Sequence, residues 1–186
     1  MRIAVTGAQG SGKSTLARSL RDALADAYGN CALLDGIGAR IRAEGFPLGR
    51  LATWETICAF ASNHLERERG VLSRFAVQDR CMLDLVAYSV AVAMPSVLIR
   101  FVEESAFASL RDVPVLYVPL NRDLPPSESH DEDDAFRRLV DREIVSGAKR
   151  LDLRLISVDG PLESRATNAL AAVRAVLADT TEAGAP

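Results

Sequence analysis

In 186 residues the chain has three cysteines, two histidines, one tryptophan and no excess of positive charge, and each scarcity closes off a class of protein. Cys31, Cys58 and Cys81 are odd in number, sit among apolar neighbours and form no C-x-x-C pair. That spacing excludes a disulfide framework or a zinc site and reads as reduced core thiols in a cytoplasmic protein. The net charge of -3, from 22 basic and 25 acidic residues, argues against nonspecific nucleic-acid binding as the main activity and favours a small-molecule partner. No long hydrophobic run exists either. The most apolar stretch, Leu85 to Ile99, falls short of the roughly 20 residues a membrane helix needs. It is interrupted by Tyr88, Ser89 and Pro95, so it reads as a buried helix, a proline break and the start of another helix. The first apolar run is brief and enters a glycine-rich loop directly, so no secretory signal is expected. There is no internal repeat and no low-complexity linker. With 48% hydrophobic and 25% charged residues, the composition is that of one globular domain over 1–178, followed by a frayed tail at 179–186.

What is present is concentrated at the start of the chain. Gly7-Ala8-Gln9-Gly10-Ser11-Gly12-Lys13-Ser14 has the G-x-x-x-x-G-K-[ST] spacing and follows Arg2-Ile3-Ala4-Val5-Thr6, a β-prone run suited to a buried strand. Glycines let successive backbone N–H groups turn toward one anion, and the N-terminus of the next helix adds its positive end. The expected phosphate contacts are Gly7, Gln9, Gly10, Ser11, Gly12, Lys13, Ser14 and Thr15. Lys13 reaches the β- and γ-phosphates of a nucleotide, and Ser14 offers a hydroxyl to Mg²⁺.

Strand and helix signals then alternate: strands near 2–6, 31–35, 75–79, 113–118 and 153–158, with helices between them and a closing helix near 161–178. Alternation of this kind specifies a parallel sheet flanked by helices, an α/β fold. The acidic, proline-containing stretch at about 122–134 reads as a lid before a helix near 135–147, or equally as a solvated loop.

Ligands of open parallel sheets gather at the carboxyl ends of strands, which points to Asp35, Asp79 and Arg80. Asp35 is the leading candidate for a general base, although Asp35-Gly36 also has the form of a simple turn. Asp79 is the candidate metal carboxylate, and Arg80 is placed to bind an anionic group or to brace a transferred phosphoryl. Asp84 reads as structural, near the start of its helix. Of Arg40 and Arg42, two apart on a helix, at most one can face a substrate. Trp54 has the chemistry to stack a base, but core packing is the commoner fate, and His64 reads as a surface or packing residue. Arg137 and Arg138 follow the lid, and Arg138 shares a helix face with Arg142, where both could meet phosphates.

Together, the phosphate loop, the Asp35 strand end, Asp79-Arg80-x-x-x-Asp84-x-x-x-Tyr88 and Phe136-Arg137-Arg138 resemble small P-loop kinases of the nicotinamide riboside kinase (NadR-like) type and the AAA-domain group of ATP-binding proteins. More distantly they resemble nucleoside and nucleoside monophosphate kinases. The resemblance implies a three-layer P-loop fold with a five-stranded parallel sheet in the order 2-3-1-4-5. It further implies ATP and Mg²⁺, and transfer of the γ-phosphoryl to a hydroxyl of a small nucleoside- or nucleotide-like acceptor. One departure stands out: His130-Asp131-Glu132-Asp133-Asp134 occupies the place where such kinases carry a glycine and an arginine in the lid. Arg122, Arg137 or Arg138 would have to substitute. A regulatory GTPase does not fit, because Asn121-Arg122-Asp123-Leu124 lacks the guanine-reading lysine and acid spacing. A P-loop ATPase or ATP-dependent adaptor, and a kinase acting on a modified base or end of a nucleic acid, remain the alternatives. Neither the acceptor nor the oligomeric state is legible in the residues.

Overall fold

The computed structural model describes residues 1–120 and 134–182. Five parallel strands form one sheet in the order β2-β3-β1-β4-β5. They are β1 (Arg2–Thr6), β2 (Cys31–Leu34), β3 (Phe75–Asp79), β4 (Val115–Tyr117) and β5 (Leu155–Ser157). Helices α1 (Lys13–Tyr28), α2 (Ile37–Ala43), α3 (Trp54–Arg69), α4 (Met82–Ala91), α5 (Ser96–Leu110), α6 (Asp134–Arg150) and α7 (Leu162–Glu182) connect and follow the strands, with a 3₁₀ turn at Gly49–Leu51. The sheet order is the expected one. β4 and β5 are shorter than their apolar runs suggest, β2 ends one residue early, and α7 continues past residue 178 to Glu182. Residues 183–186 of the expected tail lie outside the described residues, as do 121–133, which hold the expected lid and Arg122.

Strand alternation divides the interior into two cores. Ile3, Val5, Phe75, Val77 and Leu116 face one side, where they bury Leu16, Leu20 and Leu24 of α1 and Ala169 and Val173 of α7. Ala4 and Val115 face the other side and meet Ile57 of α3, most of α4, Val102 and Ala106 of α5, and Val140 and Ile144 of α6. Because both sides of the sheet are covered, its strands read as continuous apolar runs.

Helix α4 is the centre of the second core: every residue from Met82 to Ser89 is buried. Its start is capped reciprocally, the Cys81 N–H donating to Asp84 Oδ2 at 2.8 Å. Burial pushes the Cys81 thiol far above its ordinary range, so it behaves as a small apolar group. The apolar run ends as the sequence suggests, with α4 closing at Ala91 and Pro95 preceding α5. Helix α6 lies close against α4 because Gly147 has no side chain. A Cβ there would stand 3.2 Å from Val86 Cγ1 and 3.3 Å from Leu83 Cδ1.

Gly147→Val should therefore overpack this seam and cost about 1–3 kcal/mol. Urea denaturation is the check, and an unchanged midpoint would show that α6 can retreat without loss.

Candidate functional site

The loop between β1 and α1 is shaped by three glycines and gripped by cations. Gly7 passes so close to the end of β4 that a Cβ would lie 2.5 Å from the Val118 carbonyl oxygen. Gly10 has φ +75°, and a Cβ there would lie 2.8 Å from Arg137 Nη2. Gly12 adopts a left-handed conformation just before α1, whose N-terminus opens at Lys13. Three buried side chains donate to the loop's carbonyls. Lys13 Nζ reaches Ala8 O at 3.0 Å, Arg137 Nε reaches Gln9 O at 2.8 Å, and Arg165 Nη1 reaches Ser11 O at 2.9 Å. Arg165 is itself anchored by a 2.9 Å bond to Gly160 O.

A carboxylate completes the grip. Asp141, one turn beyond Arg137 on α6, accepts from the Ala8 and Leu120 N–H groups and from the Tyr117 hydroxyl. Burial nonetheless raises its pKa above the ordinary carboxyl range, and the Tyr117 hydroxyl is raised by burial and by Asp141. Asp141 and Arg165 were missed in the sequence. The Arg137/Asp141 spacing of four is the one signal that could have paired Asp141 with the loop, whereas nothing local marks Arg165.

Beside the loop opens a cavity of about 310 Å³, walled by α2, the 3₁₀ turn, α3 and α4 and reaching Gln9 of the loop. Its polar lining is Gln9, Arg42, Thr56, His64, Arg80 and Asp84, and its aromatic lining is Phe60 and Tyr88. Arg80 takes φ +71°, an uncommon conformation for a side-chain-bearing residue, which turns it out of β3 toward α4. Burial opposes its charge, but Tyr88, Asp84 and Asp79 outweigh that and hold it firmly protonated. Asp84 is buried between Arg80 and Lys13. Burial raises its pKa, and those two cations pull the other way. The expected helix-capping role of Asp84 holds, the Thr6 hydroxyl also bonds its carboxylate, and the residue lines the cavity. Asp79 Oδ1 and the Ser11 hydroxyl are buried without partners. Such orphans are rare in folded interiors, and here they cluster at the phosphate loop and the adjoining strand end.

The structure separates residues that the sequence left together. Asp79 pairs in register with Val5, next to the loop. Asp35 follows the edge strand β2, two strands from β1 and thus roughly 10 Å away at about 4.8 Å per strand. Its carboxylate faces Arg18 of α1 at 3.9 Å, its carbonyl accepts from Arg67, and it does not line the cavity. Both strand ends therefore do not open equally onto the loop. Arg42 lines the cavity while Arg40 is bound to Glu44 at 2.9 Å on the surface. Trp54 packs edge-on against Phe101, and it is Phe60 that faces the cavity. Arg137 is 2% exposed and lies on the loop, whereas Arg138 is exposed and pairs with Asp134 on its own helix at 2.6 Å. Arg142 is exposed as well. His64, read as a surface or packing residue, is buried, its Nδ1 2.9 Å from Gln78 Nε2.

The family model described as "AAA domain" matches residues 2–165. The chain belongs to that family. Its fold is that of a small P-loop kinase. The crystal structure of thymidylate kinase from Ehrlichia chaffeensis superposes with a TM-score of 0.66 at 17% identity, covering 94% of this chain and 98% of that one. Among curated protein sequences none matches significantly. Among the described residues, no helix is long and apolar enough to cross a membrane.

Burial holds His64 at a pKa of about 3, and Arg80, Arg67 and Arg2 reinforce the effect. The unfolded chain takes up this proton near pH 6.5, so stability falls as pH drops from there toward 3. Between pH 7 and pH 5 the loss assigned to His64 is about 2 kcal/mol. Urea denaturation at both pH values should show a shallower pH dependence for His64→Asn than for the unaltered chain. Parallel pH profiles would mean that His64 titrates alike in the folded and unfolded chain.

Proposed function

We propose that the chain is an ATP-dependent phosphotransferase that moves the γ-phosphoryl of ATP to a hydroxyl of a nucleoside- or nucleotide-like acceptor. The observation that carries this reading is the cavity contiguous with the phosphate loop. Hydrolysis needs room for water alone, whereas a kinase must hold a second organic substrate against the loop and exclude solvent. A cavity of about 310 Å³ with Phe60 and Tyr88 on its walls and Arg42 and Arg80 among its polar groups suits a small ring-bearing acceptor. The likeness to a thymidylate kinase supports the same class of acceptor.

The loop residues Gly7, Gln9, Gly10, Ser11, Gly12, Lys13, Ser14 and Thr15 would hold the phosphates, with Lys13 leaving Ala8 O for the β- and γ-oxygens. Mg²⁺ fits the residues present. Ser14 and the orphaned Asp79 Oδ1 are oxygen donors of the kind this hard cation takes. Among the described residues no cluster of three or more His, Cys, Asp or Glu could cage a metal alone, which suits an ion shared with nucleotide phosphates. When bound, it would neutralise charge between the β- and γ-phosphates. In the transfer, the acceptor oxygen bonds to the γ-phosphorus as the bond to the β,γ-bridging oxygen breaks. The hydroxyl proton passes to a carboxylate. Asp84 is placed for that step better than Asp35, because its carboxylate is buried in the cavity wall beside Lys13 and Arg80, whereas Asp35 does not line the cavity. Arg137, already at Gly10, braces the transferred group in place of a lid arginine.

Steady-state assays with ATP and a nucleoside and nucleotide panel test this. Lys13→Ala should abolish transfer. Asp84→Asn should lower kcat by about 100-fold or more, Asp79→Asn should raise the Mg²⁺ requirement, and Asp35→Asn should stay within about twofold. Arg137→Ala should lower kcat more than ATP affinity, and Arg138→Ala should do neither. ATP hydrolysis with no phosphorylated product across the panel would overturn the phosphotransferase reading in favour of an ATPase. A large loss confined to Asp35→Asn would return the base to β2.

A further inference from the structure

Among the described residues His64 is the one imidazole in the cavity wall, and its protonation is set by a buried chain of donors that leads away from the site. Glu68, one turn further along α3, is paired with Arg2 of β1 and accepts from Ser109 Oγ of α5 at 2.9 Å. A carboxylate so engaged only accepts. The Gln78 atom 3.0 Å from Glu68 Oε1 is therefore the amide nitrogen, and its second hydrogen points to His64 Nδ1 at 2.9 Å. Nδ1 must then carry a lone pair, which leaves the ring's proton on Nε2. That nitrogen is buried, has no partner and belongs to a residue lining the cavity.

We propose that His64 is a specificity residue, its fixed Nε2–H donating to a carbonyl oxygen on the planar ring of the phosphoryl acceptor. The inference deepens the phosphotransferase reading and rests on it for the identity of the ligand. Two features select a ring carbonyl over a phosphate. Phe60 sits one turn before His64 on the same face of α3 and also lines the cavity, so a flat ring beside it brings its edge to the imidazole. The cavity's guanidiniums, Arg42 and Arg80, are the natural partners of an anion, whereas a neutral N–H suits a neutral oxygen. A site built around such a donor rejects a ligand that lacks the acceptor, because the donor would stay buried and unpaired. Gln78 acts as a positioning residue: it touches no ligand and holds the tautomer.

The test uses the whole chain with ¹⁵N-labelled histidine. Of the two histidines, the signals of His64 are those missing in His64→Phe. They should show a neutral ring with the proton on Nε2 from pH 5 to pH 8, and Gln78→Leu should release that tautomer preference. Inosine, guanosine, uridine, thymidine and their 5′-monophosphates form one arm of a ligand panel. Adenosine and its 5′-monophosphate, whose ring has no carbonyl, form the other. At least one member of the first arm should shift the Nε2–H resonance and the adenine compounds should not. For that compound His64→Phe should raise KM by about tenfold with the KM for ATP unchanged, and His64→Asn, which keeps a donor, should recover part of the loss. A proton on Nδ1, a resonance that no panel member moves, or an acceptor KM indifferent to His64→Phe would overturn the proposal. A compound that moves the resonance but yields no product with ATP would leave the donor site standing and remove the phosphotransferase reading instead.

Discussion

The loop after β1 is useful only if its N–H groups point at an anion, and that arrangement forces its carbonyls to point backward into the protein. Buried carbonyls need donors. Here three of them are met by Lys13, Arg137 and Arg165, all nearly inaccessible to water. Because each donor is a full cation, the same bonds that satisfy the backbone raise the positive potential at the phosphate site. Structure and function are thus served by one set of contacts. The cations in turn fix where α6 and α7 must begin, since Arg137 lies in the first turn of α6 and Arg165 in the first turn of α7.

The sheet order decides what chemistry lies next to this loop. With β3 directly beside β1, Asp79 and Arg80 end at the loop, and the left-handed turn at Arg80 sends the chain into α4 so that Asp84 and Tyr88 follow on the cavity side. The alternation of β3 does the remaining work. Val77 points toward α1, and Gln78 points toward α3, where it meets His64 and Glu68. One strand therefore supplies a core residue, a tautomer-setting amide, a candidate metal carboxylate and a cavity arginine in four consecutive positions.

Much of this was legible because it is local. The glycine spacing, the period of the strands and the Pro95 break are short-range patterns with direct physical meaning, and the sheet order came with the motif resemblance. What could not be read was partnership across the chain. Arg137 and Arg138 are adjacent and chemically identical, and only the rotation of α6 against the loop distinguishes them. Asp35 and Asp79 end similar strands, and only strand order puts one beside the loop and the other on the far edge. Trp54 drew attention by rarity, whereas Phe60, one and a half turns on, has the face that meets the cavity.

The same distinction explains why only the capping role of Asp84 is legible in the sequence. A carboxylate three residues after a helix start has a sufficient structural role, and the observed bond to the Cys81 N–H fulfils it with one oxygen. The second oxygen is what the sequence cannot show. Burial makes the carboxylate costly to keep charged, yet Lys13 and Arg80 flank it and, with the Cys81 and Thr6 donors, offset part of that cost. A group held in this balance, stabilised as an anion by two hydrogen bonds and by cations that a bound nucleotide would also engage, becomes more readily protonated as those cations are drawn to phosphate. The carboxylate would gain basicity when the donor binds, and so accept a hydroxyl proton only with ATP in place.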